Sequence, residues 1–190
     1  MSSGAPSPAL DRERALALLH EYTQSESLRK HALAVEACCR AYAPEGEREL
    51  WGLTGLLHDF DYERWPHTPQ HPLEGNKILR GLGYPEPLLH AILAHCEQTG
   101  AKRESPLDIT LFACDELAGF LTACALVKPN RTLAEVETAS VKRKLKDKAF
   151  ARSVNRADIE QGARELGLPI EDHIGHCLLA MQAVAPALGL

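Results

Sequence analysis

Apolar residues recur at intervals of three and four along most of the chain, which is the periodicity of amphipathic α-helices. In the first third of the sequence this pattern predicts helices over about residues 8–22, 27–43 and 47–59. Ser27 is a predicted N-cap of the second helix, because its hydroxyl can accept a backbone N–H of the first turn. The apolar stripe of that helix places His31 at or near its inner face.

Prolines and glycines divide the middle of the chain. Pro66 and Pro69 prevent the third helix from continuing, and Pro72 can open the next helix because a first turn does not need its N–H. We therefore expect helices over 71–83 and 85–100, each ended by glycine.

A long, almost wholly apolar helix is predicted over 105–127. Ser105 and Asp108 have the spacing of a capping box at its start. Asp115 lies in the middle of the apolar run, so its carboxylate needs a partner.

The last third predicts three more helices, over 133–150, 155–167 and 170–184. Thr132 with Glu135 resembles a capping box for the first of these, and Asn155 can cap the second. The whole pattern indicates an all-α bundle of about eight or nine helices.

Composition agrees with this fold class, because only 5% of the 190 residues are aromatic and strands favour aromatic and β-branched residues. A chain of this length usually makes one domain. We expect a flexible tail at residues 1–8, which are small, polar and proline-containing, and a single domain over 9–190.

The net charge of −5 argues against binding to a nucleic-acid polymer or an anionic membrane, since both need excess Lys and Arg. No leader sequence is evident, and no apolar run approaches the roughly 18 residues of a membrane span. We therefore expect a cytoplasmic protein. Its six cysteines include no C-x-x-C pair, which favours buried, reduced thiols.

Four polar residues fall within or at the ends of apolar helices: His31, His58, Asp59 and Asp115. Burial without partners would cost several kcal/mol for each. Either separate hydrogen bonds satisfy them, or they converge on a metal ion, which accepts imidazole and carboxylate together.

Their order and setting resemble the H…HD…D signature of the HD-domain superfamily. The matching segments are RKHALAVE around His31, GLLHDFDYE around the His58–Asp59 pair, and FACDELAGF around Asp115. The resemblance covers about residues 27–127. It implies an all-helical fold, a divalent metal held by these four residues, and an enzyme of a superfamily whose members are mostly phosphohydrolases.

The segment HPLEGNKILRGLGYPEPLLHAILAHCE is similar to that of HD proteins with two metals, and it matches at His71 and His95. The resemblance implies that these histidines bind a second ion, with Asp59 bridging both ions and orienting a water. Ligand type leaves the metal open among Mn, Fe, Co, Zn, Mg and Ni. Tyr62 stands where some two-metal families have lysine, and Cys96 where they have a second histidine, which disfavours the cyclic-dinucleotide branch.

Other polar residues have two interpretations each. Asp61 and Glu63 can act as general base or accept the N–H of a ligating imidazole, although solvated loop carboxylates are the favoured interpretation. Lys142 and Lys146, in the one basic run, fit a solvated helix face, or alternatively a phosphate-binding wall.

Three functions remain open at this point. The favoured one is a metal-dependent phosphohydrolase acting on a small phosphoester, such as a nucleotide, through a metal-activated water. The alternatives are a di-iron oxygenase, which the resemblance allows at the same six ligand positions, and a non-catalytic helical module stabilised by metal. The sequence predicts no oligomeric state.

Overall fold

The structure is a computed structural model that describes residues 10–190, so the predicted flexible tail at 1–8 lies outside the described residues. Over the described residues it contains ten α-helices, two short 3-10 turns and no β-strand, which confirms the all-α prediction. The helices are α1 (Arg12–Tyr22), α2 (Glu26–Tyr42), α3 (Arg48–Leu57), α4 (Gln70–Gly81), α5 (Glu86–Ala94), α6 (Pro106–Leu126), α7 (Thr138–Lys146), α8 (Arg156–Glu165), α9 (Ile170–Ala183) and α10 (Ala185–Leu188).

Helix α6 lies at the centre and contacts α2, α5, α8 and α9. It begins with the predicted capping box, in which the Asp108 N–H donates to the Ser105 hydroxyl at 3.1 Å and the Ser105 N–H donates to the Asp108 carboxylate at 2.8 Å. By length and composition alone, α6 is long and apolar enough to span a membrane. The expectation that no apolar run reaches this length is therefore wrong. Inside the protein, 61% of its most apolar 18-residue window is buried, as in the central helix of a helical core.

A buried charge network joins the first three helices. Glu36 of α2 is 3% exposed, and it accepts hydrogen bonds from Arg12 of α1 at 2.6 and 2.9 Å and from Arg40 at 2.9 Å. Arg40 also contacts Glu49 of α3 at 2.7 Å. Because the carboxylate of Glu36 is fully paired, its burial is tolerated, and the network fixes how α1 and α3 sit on α2.

Two close helix contacts depend on glycine. A Cβ on Gly55 of α3 would come within 2.8 Å of the Val35 carbonyl oxygen in α2, and a Cβ on Gly162 of α8 would come within 2.5 Å of the Ala113 Cα in α6. These two positions allow α3 and α8 to approach their neighbours backbone to backbone.

The predicted helix over 133–150 is wrong in its first part. The chain forms a 3-10 turn at Leu133–Glu135, continues through an extended Val136, and starts α7 only at Thr138. The Glu135 carboxylate accepts the backbone and side-chain N–H groups of Asn130, at 3.0 and 3.1 Å, so it stabilises the preceding loop instead of capping a helix. Burial of Leu133 and Val136 in the core holds this irregular path.

Several helix boundaries also differ from the sequence prediction. Helix α5 ends at Ala94 instead of Gly100, and α7 ends at Lys146 instead of residue 150. The N-cap of helix α2 is Ser25, two residues before the expected cap Ser27, and the helix starts at Glu26. The chain also forms the short helix α10, which the sequence pattern did not predict.

The C-terminal helices share one core with the motif-bearing helices. His173 of α9 bonds both to the Tyr42 hydroxyl of α2, at 2.8 Å, and to the Ala113 carbonyl of α6, at 2.9 Å. Cys114 and Cys177 pack together with their sulfurs 3.9 Å apart. All six cysteines are free thiols, and all but the half-buried Cys96 are buried as predicted.

Candidate metal centre

Six histidine and aspartate side chains from five places in the chain converge in two adjacent groups. His31 comes from the middle of α2, and Asp115 comes from the middle of α6. The other four lie at helix ends: His58 and Asp59 directly after α3, His71 at the start of α4, and His95 directly after α5. These are the six residues that the sequence predicted as ligands.

The first group is His31, His58 and Asp115, whose ligand atoms all lie within 4.8 Å of one another. The Asp115 Oδ1 is 2.9 Å from His31 Nε2 and 3.4 Å from His58 Nε2. One carboxylate oxygen therefore lies between two imidazole nitrogens, which matches the ligand set of one divalent ion.

The second group is Asp59, His71 and His95, whose ligand atoms also lie within 4.8 Å of one another. The Asp59 Oδ1 is 3.1 Å from His71 Nε2 and 3.5 Å from His95 Nε2. The other oxygen, Oδ2, is 3.5 Å from His58 Nε2 in the first group. Asp59 thus presents one oxygen to each group, which is the geometry of a bridging carboxylate.

Hydrogen bonds on the far side of three imidazoles orient their Nε2 atoms toward the centre. The Nδ1 of His58 lies 2.8 Å from the Gly55 carbonyl, and the Nδ1 of His95 lies 2.5 Å from the Ile92 carbonyl. A carbonyl can only accept, so in both rings Nδ1 carries a proton and points away from the centre. When such a ring is neutral, its Nε2 lone pair faces the centre, and this is the atom that a metal ion binds.

Asp61 orients the third imidazole in the same way. Its Oδ1 accepts the Nδ1–H of His71 at 2.7 Å, and its Oδ2 accepts the backbone N–H of Gly75 at 2.8 Å. Asp61 is 1% exposed, so the favoured interpretation of a solvated loop carboxylate is wrong for this residue. A Cβ on Gly75 would meet the Asp61 carboxyl carbon at 2.5 Å, so glycine is needed there to admit the carboxylate.

Burial of Asp61 follows from the turn after α3. Phe60, between the two aspartates, is 1% exposed and packs edge-on against Tyr22 at 5.1 Å between ring centroids. With Phe60 in the core, the chain turns Asp59 and Asp61 to opposite sides of His71. In the sequence, the available signal for this arrangement was an aromatic residue between two acidic residues, Asp59-Phe60-Asp61.

The environment of the His58 side chain indicates whether a cation fits between the two groups. It is fully buried, and its Nε2 atom has no hydrogen-bond partner although three ligand groups surround it. A buried nitrogen without a hydrogen bond costs free energy unless another partner satisfies it. A divalent ion between Asp59, Asp115 and His58 would satisfy this atom, so the residues present fit a metal.

Charge balance indicates the same fit. Burial lowers the pKa of His71, but Asp59 and Asp61 outweigh that effect and raise the pKa to about 9. Burial raises the pKa of Asp59, yet His58, His71 and His95 lower it well below its usual range. In the metal-free cluster, positively charged imidazolium groups are therefore paired with negatively charged carboxylates. A divalent cation can replace the protons that give the imidazoles their charge.

The remaining candidate residues belong to neither group of ligands. Glu63 is exposed, as expected, and its carboxylate accepts the backbone N–H groups of Gln24 and Ser25 at the start of α2. Lys142 and Lys146 line a separate cavity of about 490 Å³, whose lining includes no ligand of the metal centre. Lys142 forms an ion pair with Glu171 there.

The family model for the HD domain matches residues 28–119, a span that contains all six residues of the two groups. The chain belongs to the HD-domain superfamily. Neither the comparison with curated proteins nor the comparison with solved structures found a match.

The HD domain is typically found in metal-dependent hydrolases, and the observed clusters provide this chain with the His and Asp groups to hold divalent metal. The HD dipeptide itself is His58–Asp59, at the end of α3. Because the dipeptide follows the end of the helix, His58 points into the first group while Asp59 reaches both groups.

Proposed function

We propose that this HD-domain protein is a phosphohydrolase that uses two divalent ions to hydrolyse a small phosphoester. The observation that carries the proposal is the Asp59 carboxylate, with Oδ1 facing His71 and His95 and Oδ2 facing His58. A carboxylate shared in this way sets two ions close together, as in two-metal hydrolytic sites.

The proposed reaction is the hydrolysis of a phosphoester by water. The oxygen of a water forms a bond to phosphorus, the bond from phosphorus to the ester oxygen breaks, and a proton from the water ends on the leaving alcohol. Two divalent ions, when bound, would supply a nucleophilic water near neutral pH and neutralise the charge on the phosphate.

The residues of this chain would hold that chemistry in place. Asp59 fixes the spacing between the two groups, and Asp61 keeps the Nε2 of His71 directed inward. The side chains of His31, Asp59 and Asp115 are 21%, 22% and 23% exposed, so one side of the centre is open to solvent. An open side supports a catalytic centre over a purely structural ion, which protein ligands would enclose.

The test is metal analysis of protein purified without chelator, together with phosphate release from nucleotides and simple phosphoesters in the presence of Mn²⁺, Co²⁺, Mg²⁺ or Ni²⁺. We expect roughly two ions per chain and metal-dependent release. His58→Ala should lower metal content and reduce release to background, because His58 lies between both groups.

His20→Ala is the matched control, since His20 is an exposed histidine of α1 that belongs to neither group of ligands. Phosphate release that survives in His58→Ala would refute the proposal. Two irons with oxygen consumption and no phosphate release would identify the oxygenase, and a bound metal without any turnover would identify the structural module.

A further inference from the structure

A cavity of about 590 Å³ lies between the start of α2 and the second half of α6. His31 borders this cavity as well as the metal centre. The Nε2 edge of its ring faces Asp115, while its Nδ1 lies about 4.0 Å from where a Cβ would stand on Gly119, a residue of the cavity wall.

The cavity continues the same helix faces that carry the ligands. On α6 its lining residues follow Asp115 at four, seven, eight and eleven positions, which is one face of the helix: Gly119, Thr122, Ala123 and Leu126. On α2, Ser27 and Leu28 precede His31 by one turn. A molecule bound at the metal centre therefore has this space directly beside it.

The chemistry of the lining is mainly aliphatic. Its apolar side chains come from α2, α6, the loop before α8 and the C-terminal residues, and include Leu28, Ala123, Leu126, Val154, Leu188 and Leu190. Apart from His31, the polar side chains are three hydroxyls and Lys30, whose ammonium lies 3.9 Å from Glu26. Among the described residues that line it, none has a carboxylate side chain and none is a Phe, Tyr or Trp on which a base could stack.

One wall of the cavity is held in place by Arg156. Its guanidinium donates to five backbone carbonyls of the preceding segment, those of Leu145, Asp147, Phe150, Ala151 and Val154. The N–H of Asn155 also donates to Glu116, the neighbour of Asp115, at 3.1 Å. A wall fixed by so many bonds exists before ligand binds, which lowers the entropic cost of binding.

We propose that the substrate of this centre is a phosphomonoester of an aliphatic alcohol, with its alkyl chain in this cavity and its phosphate at the metal centre. The inference rests on the proposed phosphohydrolase function and names its substrate class. Hydrolysis breaks the bond between phosphorus and the alkyl oxygen, and water supplies the oxygen to phosphate and the proton to the alcohol. The cavity volume falls within the roughly 300–1,000 Å³ typical of small-molecule sites.

The first experiment compares kcat/KM for methyl, butyl and octyl phosphate with that for adenosine monophosphate, all with added Mn²⁺. Burial of one methylene stabilises a complex by an amount equal to about a fourfold change in binding. We expect kcat/KM to rise with chain length by up to that factor per methylene, and octyl phosphate to exceed the nucleotide.

A binding experiment gives a readout that does not need turnover. Titration calorimetry of the metal-loaded protein with octylphosphonate and methylphosphonate should show at least tenfold tighter binding of the octyl compound. Ala123→Phe, which fills the cavity, should abolish this difference, and Ala41→Phe at an exposed position of α2 is the matched control. Leu126→Asp is a second variant at a 51% exposed position, where folding is not at risk.

The outcomes separate the two proposals. Phosphate release with no dependence on chain length, or with the nucleotide preferred, would leave the phosphohydrolase standing and overturn the alkyl substrate class. Absence of phosphate release from every ester would remove the phosphohydrolase, and equal binding of the two phosphonates would then also remove the apolar subsite. Chain-length dependence that persists in both cavity variants would place the alkyl group elsewhere and overturn the inference.

Discussion

Asp61 shows how much of a metal site depends on residues that do not touch the metal. It accepts the His71 Nδ1–H at 2.7 Å and the Gly75 N–H at 2.8 Å with its two oxygens. Both oxygens must be acceptors, which a carboxylate provides and an amide does not. The orientation of His71 therefore rests on a carboxylate at this position.

We expect Asp61→Asn to weaken metal binding by about 10- to 100-fold, the usual cost of losing such a supporting group. The asparagine NH₂ would face either the His71 N–H or the Gly75 N–H, donor against donor. Competition with a chromogenic chelator measures the affinity. Glu63→Gln, two residues away on the surface, should leave it unchanged, and an affinity within twofold of wild type in Asp61→Asn would disprove the role.

The protonation state of His71 predicts how metal binding depends on pH. Its pKa in the metal-free protein is about 9, so at pH 7.5 the imidazole is protonated and must lose that proton to bind an ion. The apparent affinity for Mn²⁺ should therefore increase as pH rises from 7 toward 9, by up to about tenfold per pH unit for each proton released, and then level off.

Calorimetry in two buffers of different ionisation enthalpy counts the protons released on binding. We expect at least one at pH 7.5 and fewer above pH 9. Binding that releases no proton and stays constant from pH 7 to 9 would show that the metal-free imidazoles are already neutral.

At the scale of elements, the contact between α6 and α8 depends on a missing side chain. A Cβ on Gly162 would lie 2.5 Å from the Ala113 Cα and 2.7 Å from its Cβ, so the two helices would have to separate. Helix α6 carries Asp115, and α8 follows the loop that walls the cavity. The packing of these helices therefore affects the surroundings of the site as well as stability.

We expect Gly162→Ala to lower the free energy of unfolding by about 1–3 kcal/mol through overpacking. The matched control is Gly175→Ala in α9, where the nearest atom to the new Cβ is the Thr138 hydroxyl at 3.9 Å. With no clash, that change should raise stability by about 0.5–1 kcal/mol, because alanine is the better helix former. Urea unfolding measures the free energy of unfolding of both variants. If Gly162→Ala is as stable as Gly175→Ala, the close contact between Gly162 and Ala113 is contradicted.

Across the whole molecule, the C-terminal helices pack through the core against the HD part, which is residues 28–119. His173 links α9 to α2 and α6, and α10 contacts α2. Both tryptophans, Trp51 and Trp65, lie in the HD part, so their fluorescence reports on that half of the chain, whereas circular dichroism reports on all helices.

We therefore predict one cooperative unfolding transition, with fluorescence and far-ultraviolet circular dichroism giving the same urea midpoint. The measurement is best made with chelator present, so that metal release adds no step. A second transition seen by circular dichroism alone would mean that residues after α6 fold as a separate unit.

The sequence by itself determined most of the helices and all six residues that converge. Periodicity, capping residues and prolines act over a few neighbours, so α6 with its Ser105 cap was predictable, as was α8 with its Asn155 cap. His31, His58, Asp59 and Asp115 were recognisable because polar groups in apolar helices need partners, and His71 and His95 because their segment resembles the two-metal HD pattern.

Only the tertiary structure decided which atoms meet. The sequence could not place one Asp59 oxygen toward each group, because that depends on the turn after α3 and on three other helices. It could not show that Asp61 is buried, that Lys142 and Lys146 line a different cavity, or that an aliphatic cavity adjoins His31. Local patterns specify helices through short-range interactions, whereas a site is specified by packing between residues far apart in the chain.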